Sequence, residues 1–270
     1  MKYKLLIVDI DGTLVGKGGT ISAEDRDALA EACRSGIKVS LSTGRVAQSC
    51  VGIIKELSLD GNHIFFDGAL VGNPEQGREV YVQPLSVEMV KQVVELARLN
   101  DIYLELYSAT HYFIERETWS ADVHREFFDI EPTVVDFTTL WDKERIIKGE
   151  LFVSSAQEAD KARSFQLQFN DSLRFSWANT PAYPGVYFVN VVDPGVSKGK
   201  ALEALASHLG VSLSEVAAIG DGTNDIPLLS LAGLAVAMEN APDEVKALAD
   251  HVTLDVEHSG LAAAVERFLL

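Results

Sequence analysis

The run Leu5-Leu6-Ile7-Val8, cut off by Asp9-Ile10-Asp11-Gly12-Thr13, constrains this chain more than any other stretch. Four consecutive apolar residues without polar alternation predict a strand buried on both faces, as in a parallel sheet covered by helices. A helix should follow, with Ser22 as its cap, Leu29, Ala32 and Cys33 spacing its inner face, and Gly36 closing it. Residues 37–41 read as a second strand, 46–57 as a helix and 63–66 as a third strand. That alternation predicts an α/β fold built on a doubly wound parallel sheet.

After a polar stretch at 73–77 the pattern changes. Val87, Val90, Val94 and Ala97 mark a helix, and alternating runs at 102–107 and 112–115 around a polar turn predict a hairpin. Helices near 118–128 and 157–169, with strands near 146–153, 173–178 and 186–192, complete an α+β block with a sheet of its own. From Lys198 the first pattern returns: a helix to Leu209, strands at 215–219 and 234–237, and helices from Asn224, near 242–248 and at the end. The expected division is therefore a core of residues 1–80 and 186–270 with an inserted domain at 81–185, its joints marked by turn residues near 79–84 and 181–185.

The 270 residues suffice for one large or two medium domains and for a core that needs no crosslink. Cys33 and Cys50 form no disulfide framework and read as small buried hydrophobes in a reducing compartment. Lys2 and Lys4 precede an apolar run that Asp9 ends after four residues, too short for a signal core, and no stretch approaches a membrane span. The expected location is the cytoplasm. With 23 basic against 40 acidic residues the net charge is −17, a field that repels nucleic acid and anionic membrane. A small anionic substrate would need local groups that overcome it.

Three segments follow predicted core strands, where open α/β sheets place their ligands. In the first, Asp9 and Asp11 put two carboxylates close together, which calls for a cation or a shared proton. Mg²⁺ suits such an oxygen site, and Asp9 is then placed to attack phosphorus while Asp11 acts as acid and base. The second, Ser42-Thr43-Gly44-Arg45, offers a hydroxyl, a glycine amide and a helix N-terminus to a phosphate, though a plain helix cap uses the same residues. The third, Gly220-Asp221-Gly222-Thr223-Asn224-Asp225, adds two carboxylates in a glycine-rich turn. Lys198, after Asp193-Pro194-Gly195, reads either as a solvated charge or as a cation that holds phosphate and damps repulsion at Asp9.

In order and context these four segments resemble the motifs of the haloacid dehalogenase (HAD) superfamily of phosphotransferases, and over the whole chain the sequence looks most like the Cof-type phosphatases, with a large α/β cap inserted between the second and third motifs. The resemblance implies a Rossmann-like core, Asp9 as nucleophile and Asp11 as acid/base. It implies Mg²⁺ held by Asp9, the main-chain carbonyl of Asp11 and Asp221, with Asp225 in or near the set. It implies phosphate contacts from Thr43, Gly44, Arg45, Lys198 and Asn224. One departure stands out: Asp67-Gly68-Ala69 occupies a position where the subgroup commonly has Asn-Gly-Ala, and no binding role is carried onto Asp67. Leu228 replaces a frequent Met and reads as packing.

The leading expectation is a Mg²⁺-dependent phosphoric monoester hydrolase working through an aspartyl-phosphate, with the cap closing over the leaving group. Sugar phosphates, phosphorylated cofactors such as flavin mononucleotide or pyridoxal phosphate, and small acids such as phosphoglycolate all remain open as substrates. Within the cap, His111, Tyr112, Glu115, Trp119, His124, Trp177, Tyr183 and Tyr187 are the candidate contacts. A phosphomannomutase-like phosphotransferase, a metabolite sensor and a receiver-like domain phosphorylated on Asp9 are the competing classes. The intact acid/base residue Asp11 argues against the last two. The expected partner is a small phosphate ester bound by a monomer or homodimer.

Overall fold

The computed structural model describes residues 2–128, 130–179 and 185–270. Its first strand, β1 (Leu5–Asp9), is buried at every position. Helix α1 (Ala23–Arg34) is capped by Ser22, whose Oγ accepts from Asp25 N. It buries Asp25, Ala28, Leu29 and Ala32, a stripe at helical spacing. Cys33, expected on that inner face, is exposed because it lies one 100° step beyond Ala32, whereas Cys50 is buried; neither forms a disulfide.

Strand β2 (Lys38–Ser42) follows, then α2 (Val51–Glu56), β3 (His63–Phe65), β4 (Leu70–Asn73) and β5 (Arg78–Val82). The helix expected over 46–57 is a 3₁₀ turn at Gln48–Cys50 and the six residues of α2. Val51, Gly52, Ile53 and Ile54 are weak helix formers, and Val46–Cys50 clusters with the second unit.

That second unit also contains Val82–Val196. In order it holds α3 (Val87–Leu99), β6 (Leu104–Tyr107), β7 (Tyr112–Ile114), α4 (Trp119–Phe128), β8 (Thr133–Val134), β9 (Lys148–Val153), α5 (Ala156–Leu167), β10 (Arg174–Asn179) and β11 (Tyr187–Val192). Its sheet has the order β10-β11-β9-β6-β7-β8, antiparallel except for β7 with β8. Alternation divides the two faces. Leu104, Leu106, Leu151, Val153, Val189 and Val191 form one core cluster with Val90, Val93 and Val94 of α3 and Phe165 of α5. Glu105, Tyr107, Lys148 and Glu150 alternate with them.

The remaining elements return to the first unit: α6 (Lys198–Leu209), β12 (Val216–Gly220), α7 (Ile226–Leu229), β13 (Leu234–Ala237), α8 (Asp243–Lys246), β14 (His251–Val252) and α9 (Gly260–Phe268). The return falls at Ser197, eleven residues after the expected 186, because β11 pairs antiparallel with β9 and β10 and so stays in the second sheet. The chain passes from the first unit to the second at Tyr81–Val82.

The first sheet has the order β14-β13-β12-β1-β2-β3-β4-β5, parallel from β14 to β3, with β4 antiparallel to β3. Ile7 is paired with Ala218 on one side and Ser40 on the other, so β1 is the centre from which the chain winds both ways. Leu5 and Ile7 pack with Ala201, Leu202 and Leu205 of α6 and with Leu228 and Leu229 of α7. Each fully buried Leu or Ile contributes about 1.5–3 kcal/mol, and that packing fixes the carboxyl ends of β1 and β12 beside the start of α6. Among the described residues no helix is long and apolar enough to cross a membrane.

Candidate active site

Lys198 is the first residue of α6 and is almost fully buried. Its Nζ lies 2.6 Å from Asp9 Oδ1 and 2.6 Å from Asp225 Oδ1, with Ser42 O at 3.5 Å. The ammonium thus ties the end of β1 to the turn after β12. Asp225 Oδ2 accepts from the N–H groups of Asp221 (3.1 Å) and Gly222 (2.9 Å), which closes the turn on itself. Burial and then the charge of Asp225 push the Asp9 carboxyl well above the usual range, against the pull of Lys198. Burial alone would lower Lys198, but the charges of Asp225, Asp9 and Asp67 outweigh it and raise the ammonium.

Asp221 is the third acid of the cluster. Its Oδ1 accepts from Thr13 Oγ1 at 2.9 Å and its Oδ2 from Asn240 Nδ2 at 3.2 Å. Burial pushes its carboxyl up to about 6, opposed by the Thr13 hydroxyl and reinforced by Asp225. Gly12, at φ +95°, presents bare backbone here; a Cβ would stand 2.2 Å from Asp221 Oδ2. One oxygen each from Asp9, Asp221 and Asp225 lie within 4.8 Å of one another. Three carboxylates face one ammonium, so the ionised set carries uncompensated negative charge. An all-oxygen set of that charge fits a hard divalent cation.

Asp11, predicted beside Asp9, has its carboxylate outside this cluster. Arg45 takes it in a fork, Nε to Oδ2 at 2.8 Å and Nη2 to Oδ1 at 2.5 Å, while the Asp11 side chain is 58% exposed. Thr43 is buried beside them, its Oγ1 accepting from Arg45 N at 3.0 Å. Gly44 lies against Asp67, and Asn224 donates its amide to Asp67 Oδ1 at 2.8 Å. Asp67 adopts φ 55°, ψ 23°, the left-handed region in which Asn and Asp are the best tolerated side chains, so Asp replaces Asn there without backbone cost. Gly68 follows at φ +102°; a Cβ on it would meet Ser197 O at 2.3 Å, directly before Lys198.

Sequence reading thus named the residues of the cluster but missed Asn240 and Thr13, which hold Asp221. Thr13 stands in the Asp9 motif with no role assigned to it by the sequence. Asn240 gives no signal, because a single Asn after a strand reads as a turn.

In the second unit Glu105, His124 and Glu150 form another buried group. The Tyr107 hydroxyl lies among them, 2.6 Å from Glu105, 2.9 Å from Glu150 and 3.0 Å from His124 Nε2. Tyr112 and Ser120 donate to Glu105 Oε1, and Lys148 donates to Glu150 Oε1 at 2.8 Å. This is a buried hydrogen-bond network whose centre a phenol already fills. Of the candidate contacts, Tyr112 and His124 belong to it. Glu115 is held by Arg98 and by Phe137 N, and Trp177 packs on the core of that unit. Tyr187 lies edge-on to Trp177, and His111 and Trp119 are exposed. Tyr183 lies outside the described residues.

The chain is 31% identical over 289 residues to "Endoribonuclease YBEY, chloroplastic" of Arabidopsis thaliana, a match covering 99% of this chain and 47% of that protein, so the chain spans about half that relative. It is 28% identical over 285 residues to "Phosphatase YwpJ" of Bacillus subtilis, covering 98% of this chain and all of the relative. Among solved structures it resembles the HAD subclass IIB sugar phosphatase BT4131, at 25% identity and a TM-score of 0.80, with 98% of each chain covered. Residues 6–265 match the family of haloacid dehalogenase-like hydrolases, and the chain belongs to that family.

Proposed function

We propose that the protein is a Mg²⁺-dependent phosphomonoesterase that hydrolyses small phosphorylated metabolites, sugar phosphates above all, through an aspartyl-phosphate on Asp9. The observation that carries this reading is Lys198 buried between Asp9 and Asp225 at the carboxyl end of the central strand. The phosphatase name of a full-length relative and the sugar-phosphatase name of a structural neighbour support the substrate class.

Asp9, Asp221 and Asp225, with the main-chain carbonyl of Asp11, would hold Mg²⁺. When bound, the cation neutralises the carboxylates and polarises the phosphoryl oxygens. Asp9 contributes an oxygen that forms a bond to phosphorus as the ester P–O bond breaks, and Asp11 gives its proton to the leaving alkoxide. Asp11 then takes a proton from water as the water oxygen attacks the same phosphorus. The Asp9–phosphorus bond breaks and inorganic phosphate leaves. Thr43, Gly44, Arg45, Lys198 and Asn224 would bind the phosphoryl group. The fork between Arg45 and Asp11 must open for both residues to play these parts. Asp11 is the more exposed partner of the fork, and an arriving phosphate would compete with its carboxylate for the Arg45 guanidinium.

The first unit is thereby the catalytic domain, and the second supplies selection of the leaving group. Two free thiols suit a reducing cytoplasm. The test is phosphate release from a panel of phosphorylated sugars, cofactors and small acids with Mg²⁺, run beside EDTA and Asp9→Asn. Release confined to a few sugar phosphates, lost with EDTA and reduced at least about a thousandfold in the variant, is the expected result. Full activity in Asp9→Asn would refute the nucleophile.

A further inference from the structure

Asn240 is exposed and lies outside every motif recognised in the sequence, yet its side chain makes three hydrogen bonds, two of them at the acidic cluster. Its Oδ1 accepts from Val256 N at 3.0 Å. That backbone donor fixes which end of the amide is oxygen, so Nδ2 is turned toward the site. There it donates to Gly12 O at 2.9 Å and to Asp221 Oδ2 at 3.2 Å. The placement follows from the sheet. Met238 N donates to Gly220 O and Glu239 N to Leu254 O, so the exit of β13 runs between the turn after β12 and the segment ahead of α9.

Gly12 belongs to the loop that carries Asp9 and Asp11, whereas Asp221 comes from the turn after β12. The two segments touch with no room for a Cβ between them. Asn240 is bonded to both sides of that contact. Together with Thr13 on Asp221 Oδ1, it leaves the Asp221 carboxylate held at each oxygen. From this geometry we infer that Asn240 is a positioning residue for the divalent cation. It sets the orientation of Asp221 and the spacing between Asp221 and the Asp9 loop, and it touches neither substrate nor cation. This inference rests on the reading that Asp9, Asp221 and Asp225 hold the cation. Partners that orient metal-binding side chains contribute tenfold to a hundredfold to affinity, whereas rim contacts of exposed residues contribute almost nothing to folding.

The test is Mg²⁺ binding to the full chain by calorimetry without substrate, for wild type, Asn240→Ala, the bulkier Asn240→Leu and Asp221→Ala, with thermal unfolding in EDTA as a measure of folding. Both Asn240 variants are expected to unfold within a few degrees of wild type and to bind Mg²⁺ about tenfold more weakly. In turnover, the Mg²⁺ concentration for half-maximal rate should rise by the same factor, with kcat and substrate KM restored at saturating Mg²⁺. A wild-type Mg²⁺ dissociation constant in either folded variant, with binding lost in Asp221→Ala, overturns the role of Asn240 and leaves the cation site standing. Undiminished binding in Asp221→Ala overturns the cation site itself.

Discussion

A lysine at the first position of a helix faces the positive end of the helix dipole, so the start of α6 is a poor place for Lys198 on local grounds. What holds it there is the pair of carboxylates 2.6 Å away on either side. Removing one partner of a buried ion pair leaves uncompensated charge and costs about 3–5 kcal/mol. Lys198→Met should therefore lose about 3 kcal/mol of unfolding free energy in urea with EDTA at pH 7, besides its activity. A loss under about 1 kcal/mol would mean that the acids share a proton and do not depend on the ammonium. Lys198 and Asp67 show how far single residues are legible. The Asp9 and Asp221 motifs announce themselves by acids next to glycine, whereas a lysine looks solvated until the fold buries it. Asp67, to which the sequence assigns no binding role, is a left-handed residue whose carboxylate anchors the amide of Asn224.

At the scale of elements, β3 carries a titratable group into the core of the sheet. His63 is fully buried, its Nδ1 accepts from Leu41 N at 3.1 Å, and burial pushes its pKa down to about 4. The unfolded chain takes up this proton near pH 6.5 and the native state only near 4, so between those values the unfolded state binds more protons. The resulting stability is fully present above pH 6.5 and is lost as pH falls toward 4. From pH 7 to 5 it amounts to about 2 kcal/mol. The raised carboxyls of Asp9, Asp25 and Asp221 act in the opposite sense, so the histidine is isolated by comparison with His63→Gln, whose carbonyl can keep the Leu41 bond. Urea unfolding at the two pH values should show about 2 kcal/mol less acid sensitivity in the variant; equal slopes would contradict the assignment. The core strands were legible because uninterrupted apolar runs have one use in such a chain. The short strands β4 and β14 and the broken helix at residues 46–57 were not, because two to six residues carry too little pattern and neighbouring strands decide their pairing.

For the whole molecule, a net charge of −17 bears on cation binding more than on any single contact. The field concentrates divalent cations near the acidic cluster and is screened as the Debye length falls from roughly 20 Å at 20 mM salt to about 8 Å at 150 mM. The Mg²⁺ dissociation constant should rise about threefold or more over that range, measured by the same calorimetry; an unchanged value would mean that only the three carboxylates matter. Which sheet β11 joins is not legible locally, because only its pairing with β9 and β10 places it in the second sheet, and the first unit resumes at Ser197. By itself the sequence determined the parallel core strands and the acids after β1 and β12, since continuous apolar runs and acids beside glycine are local signals. Tertiary structure alone decided that Lys198 is buried, that Asp11 turns to Arg45 and that Asn240 clamps Gly12 to Asp221. Those contacts join residues as many as 228 positions apart, and local pattern carries no information about which distant segments the first sheet will bring together at its carboxyl edge.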